Sequence, residues 1–279
     1  MTGTASPGSD ARPRIDTTIP HSARMWDYWL GGKNHYEVDR AAGDQVRRIH
    51  PGILDYARAD RAFLGRAVTH LTREVGIRQF LDIGTGLPTS DNTHEVAQRI
   101  APEARIVYAD NDPIVLAHAR ALLTSTPEGA TDYLDADLHD PDAILRDAAR
   151  TLDFTEPIAV MLLGIVMFVQ DTERARAIVK RLMDAVPPGS HLVLSHTITA
   201  PGLADVDAAV EYWNSVGTPK LHQRTPEEVA RFFDGLDLLE PGVVSCSRWR
   251  PEPSPTGEEA DEPDEPDEVA FYCGVGRKP

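Results

Sequence analysis

Phe80-Leu81-Asp82-Ile83-Gly84-Thr85-Gly86-Leu87-Pro88-Thr89 decides the reading of this chain. An apolar run over residues 79–83 carries an acid near its end. It breaks into Gly-Thr-Gly and passes into a polar segment compatible with a helix. Glycine permits a sharp turn at positive φ and lets a ligand approach where a Cβ would intervene. Strand, glycine turn, helix is the unit that opens a nucleotide-binding α/β sheet. The details choose among nucleotides. A dinucleotide fingerprint needs a third small residue where this chain has Thr89, and amides free to face a pyrophosphate. Asp82, two residues before Gly84, would repel a phosphate and suits a cationic amino group. No G-x-x-x-x-G-K-[ST] loop is present. Taken alone, Gly-Thr-Gly also fits a plain tight turn.

Three further units accompany it. Residues 105–110 form a second apolar run ending in Asp110, followed by Asn111, Asp112 and Pro113. Asp110 has the place of an acid at the end of a second strand, able to hold both hydroxyls of a ribose. Pro113 suits the first turn of a following helix. A third unit ends at Asp135-Ala136-Asp137-Leu138, and a fourth, residues 158–163, ends at Gly164. Acids gathered at strand carboxyl ends describe one crevice, where open α/β sheets bind ligands.

This set resembles the class I S-adenosylmethionine-dependent methyltransferases. More narrowly, Ser22-Ala23-Arg24-Met25-Trp26-Asp27-Tyr28-Trp29-Leu30-Gly31-Gly32-Lys33-Asn34, joined to residues 80–92, resembles a methyltransferase family common in filamentous actinobacteria. That family was long catalogued as a domain of unknown function. The resemblance runs from about Ile15 to the C-terminus, omitting an acidic insert. It implies a Rossmann-like α/β fold with a mostly parallel seven-stranded sheet, an antiparallel C-terminal hairpin and an N-terminal helical cap. It also implies S-adenosylmethionine as cofactor and S-adenosylhomocysteine as product.

Composition sets bounds. The 279 residues accommodate one large domain, or one domain with a cap, and 41% hydrophobic residues supply a sizeable core. The net charge of −16 disfavours nucleic acid as a partner. Residues 258–268 hold eight acids and no base, so the remainder carries −8. Cys246 and Cys273 make no metal motif; they are free thiols or neighbours on adjacent strands. Residues 1–14 lack an apolar core segment, and the longest apolar run, 158–169, is too short to span a bilayer. A cytoplasmic protein with no membrane partner, monomeric or homodimeric, is expected.

In chain order, residues 1–14 read as a disordered tail, 15–76 as the cap or lid, and 77–279 as the cofactor-binding domain. Pro- and Glu-rich residues 251–268 read as a flexible acidic loop within it, not a metal site. Met25, Tyr28 and Trp29 have helical spacing, ended by Gly31-Gly32. They read either as core-packing aromatics or as a lid whose ring faces attract a sulfonium. Helices are predicted over 39–49 and 52–75, the second with an apolar stripe from Leu54 to Leu71 and its Arg and Asp residues on the solvated face. Alternating strands and helices follow to strand 190–196. A helix follows over 205–216, and another starts at Thr225 and runs to Phe233. Late strands are predicted at 236–249, kinked at Pro241-Gly242, and at 269–275.

The resemblance implies site roles. Gly84, Thr85, Gly86 and Leu87 would line the methionine and ribose side, and Asp82 would bind the amino group. Lys33 and Asn34 would reach the methionyl carboxylate, with Met25 and Tyr28 in the lid. Asp110 would hold the ribose, with Asn111 and Asp112 beside it. Asp137 and Leu138 would meet the adenine, and Gly164 and Ile165 the sulfonium. Trp26, Tyr36, Phe168, Tyr212 and Trp213 are candidate walls of the acceptor pocket. His196 is a candidate general base, or equally a core histidine. Leu163-Gly164-Ile165-Val166-Met167-Phe168 stands where many methyltransferases carry Asn/Asp-Pro-Pro-Tyr, which points to a small apolar acceptor. His94-Glu95 lacks the second histidine of a zinc helix, so no metal is expected. A non-catalytic cofactor-binding regulator is the alternative. A nicotinamide oxidoreductase is disfavoured by the missing third glycine and the absence of a Tyr-x-x-x-Lys pair.

Overall fold

The computed structural model describes residues 15–122, 124–251 and 266–279. The tail 1–14 and most of the acidic loop lie outside the described residues. The chain opens with α1 (Ser22–Trp29), α2 (Glu37–Ile49) and α3 (Ile53–His70), the last widening into a π turn over Leu71–Val75. Alternation follows: β1 (Gln79–Ile83), α4 (Thr93–Ile100), β2 (Arg105–Asp110), α5 (Pro113–Leu122), β3 (Ala130–Asp135), α6 (Pro141–Ala148), β4 (Ala159–Leu163), α7 (Thr172–Ala185) and β5 (His191–Thr197). The chain closes with α8 (Ala204–Val216), α9 (Pro226–Ala230), β6 (Asp237–Leu238), β7 (Val244–Ser245) and β8 (Phe271–Arg277).

The strand order is β3-β2-β1-β4-β5-β8-β6, with β7 also paired to β8. Strands β1 to β5 are mutually parallel, and β8 runs antiparallel to β5, β6 and β7. The predicted late strand over 236–249 is thus split into β6 and β7. Leu239 still donates to Val275 O at 2.8 Å, and the break is a turn closed by Gly242 N on Leu239 O at 2.9 Å. Counted as one interrupted strand, β6 and β7 complete seven positions. Cys246 and Cys273 are buried free thiols and also neighbours, so both readings of them hold together.

Strand β1 is buried at every position, and β4 at all but its last, as expected of strands covered on both faces. Strand order reverses between β1 and β4, and at such a switch point the crevice opens at the strands' carboxyl ends. Among the described residues no helix is long and apolar enough to cross a membrane.

The first two N-terminal helices are tied to each other by a buried ion pair. Arg24 Nε lies 2.9 Å from Asp39 Oδ2, and both side chains are almost fully enclosed. Arg24 also donates to Asp16 O and Ile19 O, while Asp39 accepts the amides of His21 and Tyr36. Asp27 closes the next loop by accepting Asn34 N at 2.7 Å, and a Cβ on Gly32 would fall on its carboxylate. Removing one member of a buried pair strands the other's charge, at about 3–5 kcal/mol. Arg24→Met is therefore expected to lower the melting temperature steeply, read by circular dichroism; a shift within error of wild type refutes the anchoring role.

Candidate functional site

The glycine turn sets the geometry of the cleft. Gly84 leaves β1 at φ +73°, where a side chain is strained and a Cβ would fall inside Ile165. Gly86 N donates to Asp110 Oδ2 at 3.0 Å, and Asp112 N to Asp110 Oδ1 at 2.9 Å. A carboxylate offers about four acceptor positions, so Asp110 can still accept further hydroxyls. Asp82 is buried and accepts Thr93 Oγ1 at 2.6 Å. Thr85 Oγ1 meets the Tyr133 hydroxyl at 2.7 Å. The cleft is an open space of about 1090 Å³, solvent at its mouth included.

One wall of this cleft is α3, through Ala57, Asp60, Arg61 and Leu64. The sequence reading put the charged residues of this helix in solvent; for Asp60 and Arg61 that is corrected. The spacing i, i+3, i+4, i+7 was the available signal, because the two charges fall inside the helix's buried stripe. Asp60 Oδ1 accepts Ser195 Oγ at 2.6 Å, and Ser195 Oγ in turn accepts Gly164 N at 3.0 Å. Arg61 Nη2 donates to Ser90 O at 2.9 Å and Asn92 Oδ1 at 3.2 Å, while its Nε is buried with no partner. Pro219 and Asp27, also unread in the sequence, complete the rim.

Two further hollows adjoin it. One, of about 670 Å³, is lined by Asp110, Asn111, Asp137, Leu138 and Ile165 among others. The other, of about 570 Å³, is almost wholly apolar and is lined by Met25, Trp26, Trp29, Phe168 and Trp213 among others. Trp26 and Phe168 face both the cleft and the apolar hollow.

The structure thus brings Asp82, Gly84, Thr85, Gly86, Leu87, Asp110, Asn111, Gly164, Ile165, Trp26 and Phe168 onto the cleft. Asp137 and Leu138 stand on the second hollow, Met25 and Trp213 on the apolar one. Other expected residues stand elsewhere. Lys33 is exposed, and Asn34 is tied by its amide to Asp27. Tyr28 donates to Asp44 Oδ1 at 2.7 Å. Asp112 caps α5 by accepting Ile114 N and pairs with His21 Nδ1 at 3.0 Å. Tyr36 is exposed at the start of α2, and Tyr212 lines none of the three hollows.

His196 is the clearest correction. Successive strand residues face opposite ways, and on β5 it is Ser195 that turns toward Asp60 on the cleft wall. The His196 ring is fully buried, with Nε2 2.8 Å from Arg224 Nη1 and Nδ1 2.6 Å from Thr197 O. Burial and the Arg224 charge push it down to about 3, so it is a neutral core histidine without reach to a ligand.

The S-adenosyl methyltransferase family profile matches residues 8–279. The chain belongs to this family. A protein from Streptomyces avermitilis, described as a DUF574 family protein, is 45% identical. The match covers 95% of this chain and 100% of that one, with a TM-score of 0.88. A putative methyltransferase from Thermobifida fusca is 39% identical over 97% of this chain and 99% of its own, with a TM-score of 0.83. The magnesium protoporphyrin IX methyltransferase of Synechocystis, at 13% identity and a TM-score of 0.54 over 91% of this chain and 93% of its own, shares the fold. No curated protein matches. The enzyme is an S-adenosylmethionine-dependent methyltransferase of the class I fold. The donor set of the cleft suits that cofactor: acceptors for an ammonium and hydroxyls, and an orphaned guanidinium nitrogen for a carboxylate.

The cleft's carboxylates stand close enough to oppose one another's ionisation. Burial raises Asp60 to about 6, with the Asp82 charge adding to it against Ser195 and Arg61. Burial raises Asp82 to about 6 as well, with the Asp110 charge adding to it against Thr93 and Arg61. Both stand near 3.8 when unfolded, so their contribution to stability is complete below about pH 4 and is lost as pH rises through 6. At pH 7.5 the ligand-free fold bears that cost, at most about 3 kcal/mol per group. Asp60→Asn is expected to raise the ligand-free melting temperature at pH 7.5 and leave it unchanged near pH 4. Equal melting temperatures at pH 7.5 would show that the charge is already compensated.

Proposed function

We propose that this enzyme methylates a small, partly apolar acceptor seated in the hollow beneath α1, beside the donor in the polar cleft. The adjacency of the two spaces, sharing Trp26 and Phe168 at the carboxyl end of β4, carries the reading. S-adenosylmethionine, when bound, supplies an activated methyl group. The protein's work is to bind, orient and exclude water. Asp110 accepts the ribose hydroxyls, with Asn111, Asp137 and Leu138 around the adenine. Gly84 to Leu87 lie along the methionine side. Asp82, with Asp60 nearby, receives the ammonium, and the free Nε of Arg61 receives the carboxylate. Gly164 and Ile165 flank the sulfonium. Residues 15–76 act as a cap on the domain formed by 77–279. The net charge of −16 supports a protein that leaves nucleic acid alone.

Thermal-shift titration tests the reading. S-adenosylhomocysteine is expected to stabilise the protein and NAD to leave it unmoved. Asp110→Ala, which removes two charge-assisted hydrogen bonds, is expected to weaken S-adenosylhomocysteine at least about 30-fold. Arg61→Met is expected to cost about 10-fold or more for S-adenosylhomocysteine and nothing for 5′-methylthioadenosine, which lacks the carboxylate. Equal losses for both ligands would assign Arg61 a purely structural role.

A further inference from the structure

The apolar hollow has an unused polar feature at its edge. Its wall is hydrocarbon and aromatic except for Ser22, His50, Tyr56 and Thr197. Of these, Ser22 and Thr197 do not titrate near neutrality. Burial pushes the Tyr56 hydroxyl well above its ordinary range. His50 is left, and a neutral imidazole has a ring nitrogen that can accept a proton. Its Nδ1 lies 2.6 Å from Asp205 Oδ2, joining the end of α2 to the first turn of α8. A carboxylate on Nδ1 holds the ring in one orientation and tautomer, with Nε2 as the proton acceptor. The pair sits at a rim: the His50 side chain is 14% exposed and that of Asp205 47%. A proton taken inside the hollow therefore has a short way to water.

We propose that His50 accepts the proton of a phenolic acceptor bound in this hollow, with Asp205 as its positioning residue. The substrate class is a phenol, and the reaction is O-methylation; this rests on the reading of the donor cleft above. The flat walls made by Trp26, Trp29 and Trp213 suit an aromatic ring. A phenol is a weak nucleophile until its proton leaves, and Nε2 can receive it. As the phenol oxygen gains the methyl carbon, its proton passes to His50 Nε2. The electron pair of the broken carbon–sulfur bond stays on sulfur. The imidazolium then carries the positive charge the sulfonium held, and releases the proton to solvent at the rim.

4-Nitrophenol is the probe, because its phenolate is yellow and its phenol colourless. With S-adenosylhomocysteine present and at a mildly acidic pH where the free probe is colourless, wild-type protein is expected to bind it. Binding should quench tryptophan fluorescence and turn the bound probe yellow. His50→Asn keeps a donor to Asp205 but has no proton acceptor. It is expected to retain the S-adenosylhomocysteine thermal shift and the quenching, to leave the probe colourless, and to lower phenol methylation by about 10²–10⁴-fold. Asp205→Asn, a second variant should His50→Asn not fold, is expected to reduce the yellow fraction without moving the thermal shift. Absence of quenching in wild type, or equal yellow colour in the variants, overturns the proposal. If S-adenosylhomocysteine still stabilises the protein in that case, the donor site stands and only the acceptor assignment falls.

Discussion

Uncompensated negative charge at the carboxyl ends of the strands is the constraint on which the site depends. Asp60, Asp82 and Asp110 reach one cleft from three different elements; the Asp82 charge raises the proton affinity of Asp60, and the Asp110 charge that of Asp82. Arg61 offsets part of this, lowering both Asp60 and Asp82, but two of its contacts are already given to Ser90 and Asn92. Such an arrangement is costly to a ligand-free protein and favourable to a cationic ligand. On the donor placement proposed above, the energy forgone in the empty fold is recovered when an ammonium and a sulfonium enter. Ser195 ties the arrangement together. It donates to Asp60 and accepts from Gly164, so the α3 wall and the turn after β4 are set in one hydrogen-bonded chain.

What the sequence made legible was what local pattern encodes. The strands β1 to β5 are apolar runs that need both faces covered, and their ends are marked by glycine, proline or acid, so their positions came within a residue or two. Gly84, Gly86 and Asp82 were readable because turn and carboxylate lie a few residues apart in one unit, and Asp110 because it ends the next apolar run. Asp60 was hidden because helical charge is ordinarily solvated; only its place inside the stripe of Ala57 and Leu64 betrays it. His196 shows the opposite error. Its position at the end of β5 was right, but strand parity decides the face, and the buried Arg224 claims it from 28 residues away. The His50–Asp205 pair spans 155 residues, and no spacing rule reaches that far.

The dense N-terminal motif has a physical explanation in the two faces of α1. Ser22, Ala23, Trp26, Asp27 and Leu30 look onto the polar cleft; Ser22, Met25, Trp26 and Trp29 look onto the apolar hollow. These are adjacent helical stripes, sharing Ser22 and Trp26 along the line where they meet. One helix therefore separates a charged compartment from an apolar one. Every residue of that helix except Tyr28, which donates to Asp44, is constrained either by a compartment or by the anchor beneath it, which is Arg24 on Asp39. Trp26 is held edge-on by Trp29 at 6.1 Å and packs near Tyr56 and Phe271 at 6.0 and 5.8 Å, so the partition is rigid where the two spaces touch. A cationic donor needs carboxylates around it, and an apolar acceptor needs water kept away. Under the function proposed above both stand against one ring, and neither side chain set enters the other's space.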